Sequence, residues 1–190
     1  MISVFLVDDM SLVRTGIKLI LETTQNIKVI GEADSGEEAV DWCRKRQCDV
    51  ILMDMVMPGI GGLEATKKIL RYNPYAKIIV LTIQTEEPYP TKIMQAGASG
   101  FLTKGAEPDE MIKAIKDVAA GKRFISPSVA QQIALSNVSS IDTESPFKSL
   151  SERELQITEM IAKGLKAGDI ADKLNLSPKT VNSYRYRIFY

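Results

Sequence analysis

The chain of 190 residues contains no histidine and only two cysteines. Without histidine, Ser-His-Asp and Cys-His catalysis, histidine-ligated zinc and a relay through an internal histidine are all excluded. Cys43 and Cys48 lack metal or redox spacing, and so few thiols indicate a reducing compartment. No apolar run approaches the ~18 residues of a membrane span, and no leader-like segment opens the chain. We therefore expect a soluble cytoplasmic protein without a membrane partner.

Charge is unevenly distributed along the chain, although 24 basic and 24 acidic residues give a formal net charge of zero. Residues 148–190 carry eight Lys or Arg against five acids, which leaves 16 bases and 19 acids in residues 1–147. The first part is therefore acidic and the last part basic. This asymmetry favours a nucleic-acid partner for the basic end.

Short apolar runs alternate with amphipathic stretches over the first 121 residues. The runs are mostly β-branched and lack polar alternation, as expected of parallel strands covered on both faces. Strands are predicted at 2–7, 28–31, 49–53, 77–82 and 100–103, and helices at 11–23, 36–46, 63–72, 88–97 and 107–121. Five successive βα units predict an α/β fold with a five-stranded, doubly wound parallel sheet.

The alternation ends after the fifth predicted helix. Residues 127–135 could form a short helix, and the polar stretch SNVSSIDTESPFKS at 136–149 has the composition of a linker. Beyond it the pattern is purely helical, at about 152–163, 167–174 and 178–190. We therefore predict an α/β domain at 1–124, a linker at 125–149 and an all-α domain at 150–190.

Two of the predicted strands end at carboxylates. The first runs into Asp8 and Asp9, and the third runs into Asp54. If these strands are neighbours, the three acids meet at one edge of the sheet. Two carboxylates about 5 Å apart repel by roughly 3 kcal/mol at an effective dielectric near 20, so three pairs cost about 10 kcal/mol unless a proton or cation intervenes. A cluster of oxygen ligands favours a hard divalent ion, Mg²⁺.

Two further strand ends offer groups that suit an anion. Thr82 ends the fourth strand with a hydroxyl donor, and Lys104 follows the fifth as a point charge. For any one of these residues alone, a helix cap or a solvated loop is the better explanation. Together with the acids they predict a site where a carboxylate accepts a phosphoryl group. No P-loop is present, and GIGG and GASG lack the G-x-G-x-x-G spacing.

The last 40 residues predict a small three-helix core. Ser151 and Glu154 form a capping box for the first helix, and the tripeptide NLS between the second and third is a tight turn typical of a helix-turn-helix. The predicted core residues are Leu155, Ile161, Ile170, Ala171, Leu174, Leu176, Val181 and Ile188.

The third helix of this region carries hydrogen-bond donors on its predicted outer face, with Val181, Tyr184 and Ile188 turned inward. A solvated amphipathic helix would show a similar pattern. In a DNA-binding domain, phosphate contacts suit Lys179, Thr180, Arg185 and Arg187, and base edges suit Asn182, Ser183 and Tyr186.

The motifs FLVDD, VILMDMVMPGIGGLEA, IIVLT and GFLTKG resemble the receiver domain of two-component response regulators, with its flavodoxin-like fold, over residues 1 to about 124. The resemblance implies that Asp54 accepts a phosphoryl group from a phosphohistidine on a sensor kinase. It also implies that Asp9, Asp54 and the carbonyl of Val56 bind Mg²⁺, with Asp8 assisting through water. Many relatives carry histidine at the position of Met10, a departure that leaves this chemistry intact.

The same resemblance assigns roles to three residues on the later strands. Thr82 and Lys104 would hold the phosphoryl oxygens. Phe101 would be an aromatic switch that turns inward when Thr82 moves, although an ordinary core aromatic explains Phe101 equally well.

The segments LSERE and IADKLNLSPKTV resemble the LuxR-type helix-turn-helix, so the whole chain is similar to response regulators of the NarL/FixJ family. ESPFKSLSERELQI and LSPKTVNSYRYRIF resemble its GacA/UvrY/LetA subgroup. The resemblance implies a hybrid sensor kinase or its phosphotransfer domain as partner, promoter DNA as target, a homodimer when active, and catalysis only of the protein's own phosphorylation and dephosphorylation. The family's fourth helix would follow Tyr190, so a C-terminally truncated DNA-binding domain is expected.

Two other functions remain open. The first is a metal-dependent aspartyl-phosphate phosphatase with a helical appendage, although Val56 stands where the haloacid-dehalogenase type needs a second acid. The second is a signalling adaptor whose tail binds protein rather than DNA. Turnover of a small phosphoester would identify the phosphatase, and a steep salt dependence of DNA binding would argue against the adaptor.

Overall fold

The computed structural model describes residues 1–83, 89–127, 129–131, 150–174 and 176–189. The chain divides into two compact units, Met1–Ser139 and Ser140–Tyr190. The predicted linker at 136–149 and residues 132–135 of the predicted short helix lie outside the described residues, whereas residues 127 and 129–131 are helical. Within the described part of the chain, no helix has both the length and the apolar character needed to cross a membrane.

The first unit alternates strands and helices, as the sequence predicts. Its strands are β1 (Ile2–Val7), β2 (Ile27–Ala33), β3 (Val50–Asp54), β4 (Ile78–Thr82), β5 (Gly100–Thr103) and β6 (Phe124–Ile125). Its helices are α1 (Ser11–Glu22), α2 (Gly36–Lys45), α3 (Gly61–Tyr72), α4 (Tyr89–Gln95) and α5 (Pro108–Ala119).

The strands form one parallel sheet in the order β2-β1-β3-β4-β5-β6. The doubly wound architecture is confirmed, but the sheet has six strands where five are predicted. The sixth pairs Phe124 with Gly100 and Ile125 with Phe101. A strand of two residues is too short to show a periodicity, so only its pairing with β5 reveals it.

Helices cover both faces of the sheet, which explains the lack of alternation in its central strands. On one face, side chains of β1, β3 and β4 pack with α1 and α5 in a single apolar cluster. On the other face, Phe5 stacks on Trp42 of α2, with ring centroids 4.0 Å apart. Every residue of β3 and β4 is consequently buried.

The strand order reverses direction at β1, whose neighbours are β2 on one side and β3 on the other. In open parallel sheets, the crevice beyond the carboxyl ends of the strands at such a point is where ligands bind. Asp8 follows β1 directly and Asp54 is the last residue of β3. The fold therefore places both acids at this crevice.

The second unit contains three described helices, α6 (Glu152–Ala162), α7 (Ala167–Leu174) and α8 (Pro178–Phe189). The predicted capping box between Ser151 and Glu154 is present. Ile157, Ile170, Ala171, Leu174 and Val181 form the buried core. Ile157 is fully buried but absent from the predicted core. Leu155 is buried outside this cluster, and Ile161, Leu176 and Ile188 are partly buried against it.

Candidate metal and phosphoacceptor site

The structure brings together the three carboxylates that the sequence singles out. One oxygen from each of Asp8, Asp9 and Asp54 lies within 4.8 Å of the others. Asp8 and Asp54 are almost fully buried, whereas Asp9 is exposed. Such a group requires a proton or a nearby positive charge, because burial removes the water that would otherwise stabilise the ionised carboxylates.

Lys104 supplies part of that charge from the loop after β5. Its Nζ lies 2.8 Å from Oδ2 of Asp8 and 2.8 Å from Oδ2 of Asp54. Apart from these ion pairs, neither Oδ2 atom accepts a hydrogen bond. Three carboxylates and one ammonium leave the cluster with excess negative charge, and all its acceptors are oxygens. The residues therefore fit a hard divalent cation such as Mg²⁺.

Burial also changes the protonation of this site. It raises the pKa of Asp54 to about 6, although the Lys104 ammonium acts in the opposite direction. For Lys104, burial alone would lower the pKa, but the contacts with Asp54 and Asp8 outweigh it and the pKa is raised. Lys104 therefore remains protonated at neutral pH. Without a metal ion, the carboxyl group of Asp54 would change its protonation state near pH 6. A bound divalent cation would favour its ionised form.

The loop after β1 is held by a dense set of backbone contacts. The Asp8 N–H donates to Ala33 of the neighbouring strand at 3.1 Å, and the Met10 N–H donates to Oδ1 of Asp8 at 2.9 Å. Arg14, one turn into α1, donates from Nη1 to the Asp8 carbonyl. Its Nε lies 3.5 Å from Oε2 of Glu32. Arg14 and Glu32 belong to none of the motifs that single out this site in the sequence, so only the structure reveals their contacts.

The glycines after β3 allow the loop to fold tightly against Asp54. A Cβ atom on Gly62 would lie 1.9 Å from the Asp54 carbonyl oxygen, so only glycine fits. Gly59 has φ +76°, and a Cβ there would meet the carboxylate of Glu37, which accepts from the Ile60 N–H at 3.0 Å. The Val56 N–H donates to Oδ1 of Asp54 at 3.2 Å. The loop therefore fixes the orientation of the Asp54 side chain.

Thr82 and Phe101 lie on the neighbouring strands and are both fully buried. The Thr82 carbonyl accepts from the Lys104 N–H at 2.8 Å, which links the end of β4 to the lysine. Phe101 pairs in register with Val80 on β4 and with Ile125 on β6. Its burial fits both a core aromatic and an inward-turned switch.

Helix α8 presents the polar face expected from the sequence. Lys179, Asn182, Ser183, Arg185, Tyr186 and Arg187 are exposed, and Thr180 is half-buried. Several of these residues already have intramolecular partners, and the Ser183 hydroxyl donates to the Lys179 carbonyl at 3.0 Å. The Thr180 N–H donates to Oγ of Ser177 at 3.1 Å at the helix N-cap, and Arg187 lies over the Tyr184 ring at 4.6 Å from its centroid and 3.7 Å from Glu154.

Residues 4–116 match the family described as "Response regulator receiver domain", and residues 148–190 match "Bacterial regulatory proteins, luxR family". The chain is 61% identical to the response regulator UvrY of Escherichia coli K12, over all of this chain and 87% of UvrY. It is 55% identical to the response regulator GacA of Pseudomonas aeruginosa, over all of this chain and 88% of GacA.

Solved structures of the RcsB response regulator are also similar. RcsB of Salmonella enterica serovar Typhimurium, bound to the promoter P1flhDC, is 26% identical, with a TM-score of 0.69 over 98% of this chain and 90% of that one. A second RcsB structure contains two dimers bound to two parallel DNAs. It is 28% identical, with a TM-score of 0.66 over 98% and 89% of the two chains.

Proposed function

This chain belongs to the response regulators that join a receiver domain to a LuxR-type DNA-binding domain and regulate transcription, and on that premise we propose that phosphorylation of Asp54 controls its binding to DNA. The observation that carries the proposal is the position of the Lys104 ammonium, 2.8 Å from both Asp8 and Asp54 beside the exposed Asp9. Two buried carboxylates, an exposed one and an ammonium lie together at one sheet edge, which supports the proposal.

In this proposal, Asp54 is the nucleophile. One of its carboxylate oxygens forms a bond to phosphorus as the bond from phosphorus to the histidine nitrogen of the donor breaks. Asp9, Asp54 and the Val56 carbonyl would hold Mg²⁺, with Asp8 assisting through water. The metal would neutralise charge that develops on the transferring group. Lys104 would leave the carboxylates to pair with a phosphoryl oxygen, and the Thr82 hydroxyl would donate to another.

The proposed response to phosphorylation begins at Thr82. Movement of Thr82 towards the phosphoryl group would vacate space beside β5, and Phe101 would fill it. Such a response shifts an equilibrium between two packed states of the receiver. Two observations support this response. Thr82 and Phe101 are buried on adjacent paired strands, and the backbone N–H of Lys104 donates a hydrogen bond to the Thr82 carbonyl.

The proposed DNA contacts come from α8. Lys179, Arg185, Arg187 and Thr180 would contact phosphates, and Asn182, Ser183 and Tyr186 would contact base edges. The exposure of six of these seven residues supports this arrangement. Arg187 would have to exchange Glu154 for a phosphate, so we expect it to contribute less than Lys179.

The proposed partners follow from the family. The phosphoryl donor would be a sensor kinase, hybrid or otherwise, or a phosphotransfer domain, and the target would be promoter DNA in the cytoplasm. The active form would be a homodimer; the dimers seen for RcsB on DNA support this. The only chemistry proposed for the receiver is its own phosphorylation and dephosphorylation.

Phosphorylation of the purified chain by acetyl phosphate tests the acceptor. We expect a phosphoprotein that requires Mg²⁺ and is absent in Asp54→Asn, while the exposed Asp41→Asn variant is phosphorylated normally. Labelling of Asp54→Asn, or labelling of the native chain that persists in EDTA, would overturn the assignment. Rapid turnover of a small phosphoester would instead support the phosphatase alternative.

Binding to promoter DNA in a salt series tests the second half of the proposal. We expect phosphorylation to change the affinity, and Lys179→Gln to weaken binding and reduce the salt slope by about 1. The exposed Lys163→Gln, at the end of α6 rather than on α8, is the matched control. A Lys179 variant with native affinity and slope would remove that residue from the interface.

A further inference from the structure

We propose that Arg14, held by Glu32, is a positioning residue that fixes the Asp8–Asp9 loop for Mg²⁺ binding. The inference rests on the proposed function, because it concerns the same acidic cluster. The Arg14 guanidinium touches none of the three carboxylates in the described contacts. It donates instead to the backbone carbonyl of Asp8, and so acts on the chain that carries two of the ligands.

The guanidinium is anchored on its other side. Its Nε lies 3.5 Å from Oε2 of Glu32, and the second oxygen of Glu32 accepts from Lys18 Nζ at 2.5 Å. Glu32 pairs in register with Leu6 on β1, two residues before Asp8. Arg14 therefore connects a rigid strand of the sheet to the ligand loop, and its side chain is only 20% exposed.

Loss of the contact between Arg14 and the Asp8 carbonyl would affect the whole loop that carries Asp8 and Asp9. The side chain of Asp8 is divided between the Met10 N–H on Oδ1 and Lys104 on Oδ2, so rotation of the Asp8 peptide would disturb both. Asp9 is exposed, and its orientation follows that of the loop. Groups that orient ligands in this way commonly contribute about 10- to 100-fold to metal affinity.

The sign of the effect separates positioning from simple electrostatics. A cation beside a metal site repels Mg²⁺, so removing its charge would strengthen metal binding if Arg14 acted only through space. A positioning role predicts the opposite: Arg14→Ala weakens Mg²⁺ binding despite the loss of a repelling charge. Glu32→Gln should weaken binding through Arg14, and therefore much less when Arg14 is already alanine.

The test is Mg²⁺ affinity of the full chain by calorimetry, with phosphorylation by acetyl phosphate measured alongside. We expect Arg14→Ala to weaken binding about 10-fold, Arg14→Lys to recover part of the loss, and the double variant with Glu32→Gln to match Arg14→Ala alone. Lys18→Gln, which touches Glu32 but not Asp8, is the matched control and should change affinity less than about 2-fold. Circular dichroism confirms that each variant is folded, and Arg14→Lys serves if Arg14→Ala is not.

Unchanged or tighter Mg²⁺ binding by folded Arg14→Ala would overturn the proposal while leaving the acceptor role of Asp54 intact. If only Arg14→Lys folds, native or tighter binding by that variant, with Glu32→Gln also without effect, would overturn it. A native chain that neither binds Mg²⁺ nor accepts phosphate would refute the proposed function itself.

Discussion

Replacing Asp54 by asparagine should stabilise the metal-free receiver near neutral pH. The carboxyl group is about 2% exposed and its pKa is raised to about 6 from a usual value of 3.8. A folded pKa above the unfolded one means that folding disfavours the ionised form. The difference of about 2.2 units corresponds to about 3 kcal/mol at 1.36 kcal/mol per unit. Asparagine removes the charge, so we expect a gain of up to about 3 kcal/mol.

The pH dependence follows from the same two values. Below about pH 3 the carboxyl group is largely neutral in both the folded and unfolded states, and the variant should match the native chain. As pH rises from about 3 to 6 the unfolded state ionises first, so the native chain loses stability relative to the variant. Above about pH 7 the difference should be constant. A divalent cation should reverse the order by stabilising only the native carboxylate cluster.

Urea unfolding in EDTA measures this difference. Trp42 is the one tryptophan of the chain and packs on Phe5 inside the first unit, so its fluorescence reports the receiver and not the helical tail. Asp41→Asn, on the exposed side of α2, is the control and should differ from the native chain by less than about 0.5 kcal/mol at every pH. Equal or lower stability of Asp54→Asn at pH 7.5, or a gain that does not change between pH 4 and 7.5, would refute the reasoning.

Three other substitutions or reactions test local features of the fold. Gly62→Ala places a Cβ against the Asp54 carbonyl and should lower the free energy of unfolding, followed by Trp42 fluorescence, by more than about 3 kcal/mol. The control Gly16→Ala in α1, where a Cβ meets nothing within 4 Å, should raise it by up to about 1 kcal/mol. Equal effects would contradict the crowding at Gly62. Burial raises the pKa values of Cys43 and Cys48 to about 12. Both thiols should therefore react with iodoacetamide at pH 8 at least about 100-fold more slowly in the folded chain than in the urea-unfolded chain. Comparable rates in the two states would contradict this. Ser151→Ala removes the N-cap of α6 and should weaken the hydrogen-exchange protection of that helix by about 1 kcal/mol. Protection equal to that of the native chain would contradict this role of the cap.

The periodicity of apolar residues was sufficient to predict most of the architecture. The β1 and β5 boundaries coincide with the predicted ones, because Asp8 ends the first apolar run and Ser99 and Lys104 flank the fifth. The ends of β1 and β3 could be placed at one sheet edge from topology alone, and their acids do meet there. The presence of both family matches likewise confirms the interpretation of the motifs at the two ends of the chain.

Other parts of the site depend on distances that no sequence pattern encodes. The contact of Arg14 with the Asp8 carbonyl joins a helix side chain to a backbone atom, and arginine on an amphipathic helix is ordinarily solvated. The crowding at Gly62, the second residue of α3, is similar, since the sequence does not show that the Asp54 carbonyl lies against it. The ion pair between Arg187 and Glu154 also forms only when α6 and α8 pack together.

The two ion pairs of Lys104 give the buried carboxylates a positive charge from within the chain. A metal-free receiver without this lysine would hold its buried carboxylates uncompensated, whereas here the chain supplies its own counter-ion. If Mg²⁺ binds as proposed, it would compete for oxygens that the Lys104 ammonium already contacts, and the ammonium would become available to the phosphoryl group. The same lysine would thus balance part of the buried charge when no metal is bound and pair with the phosphoryl group after transfer.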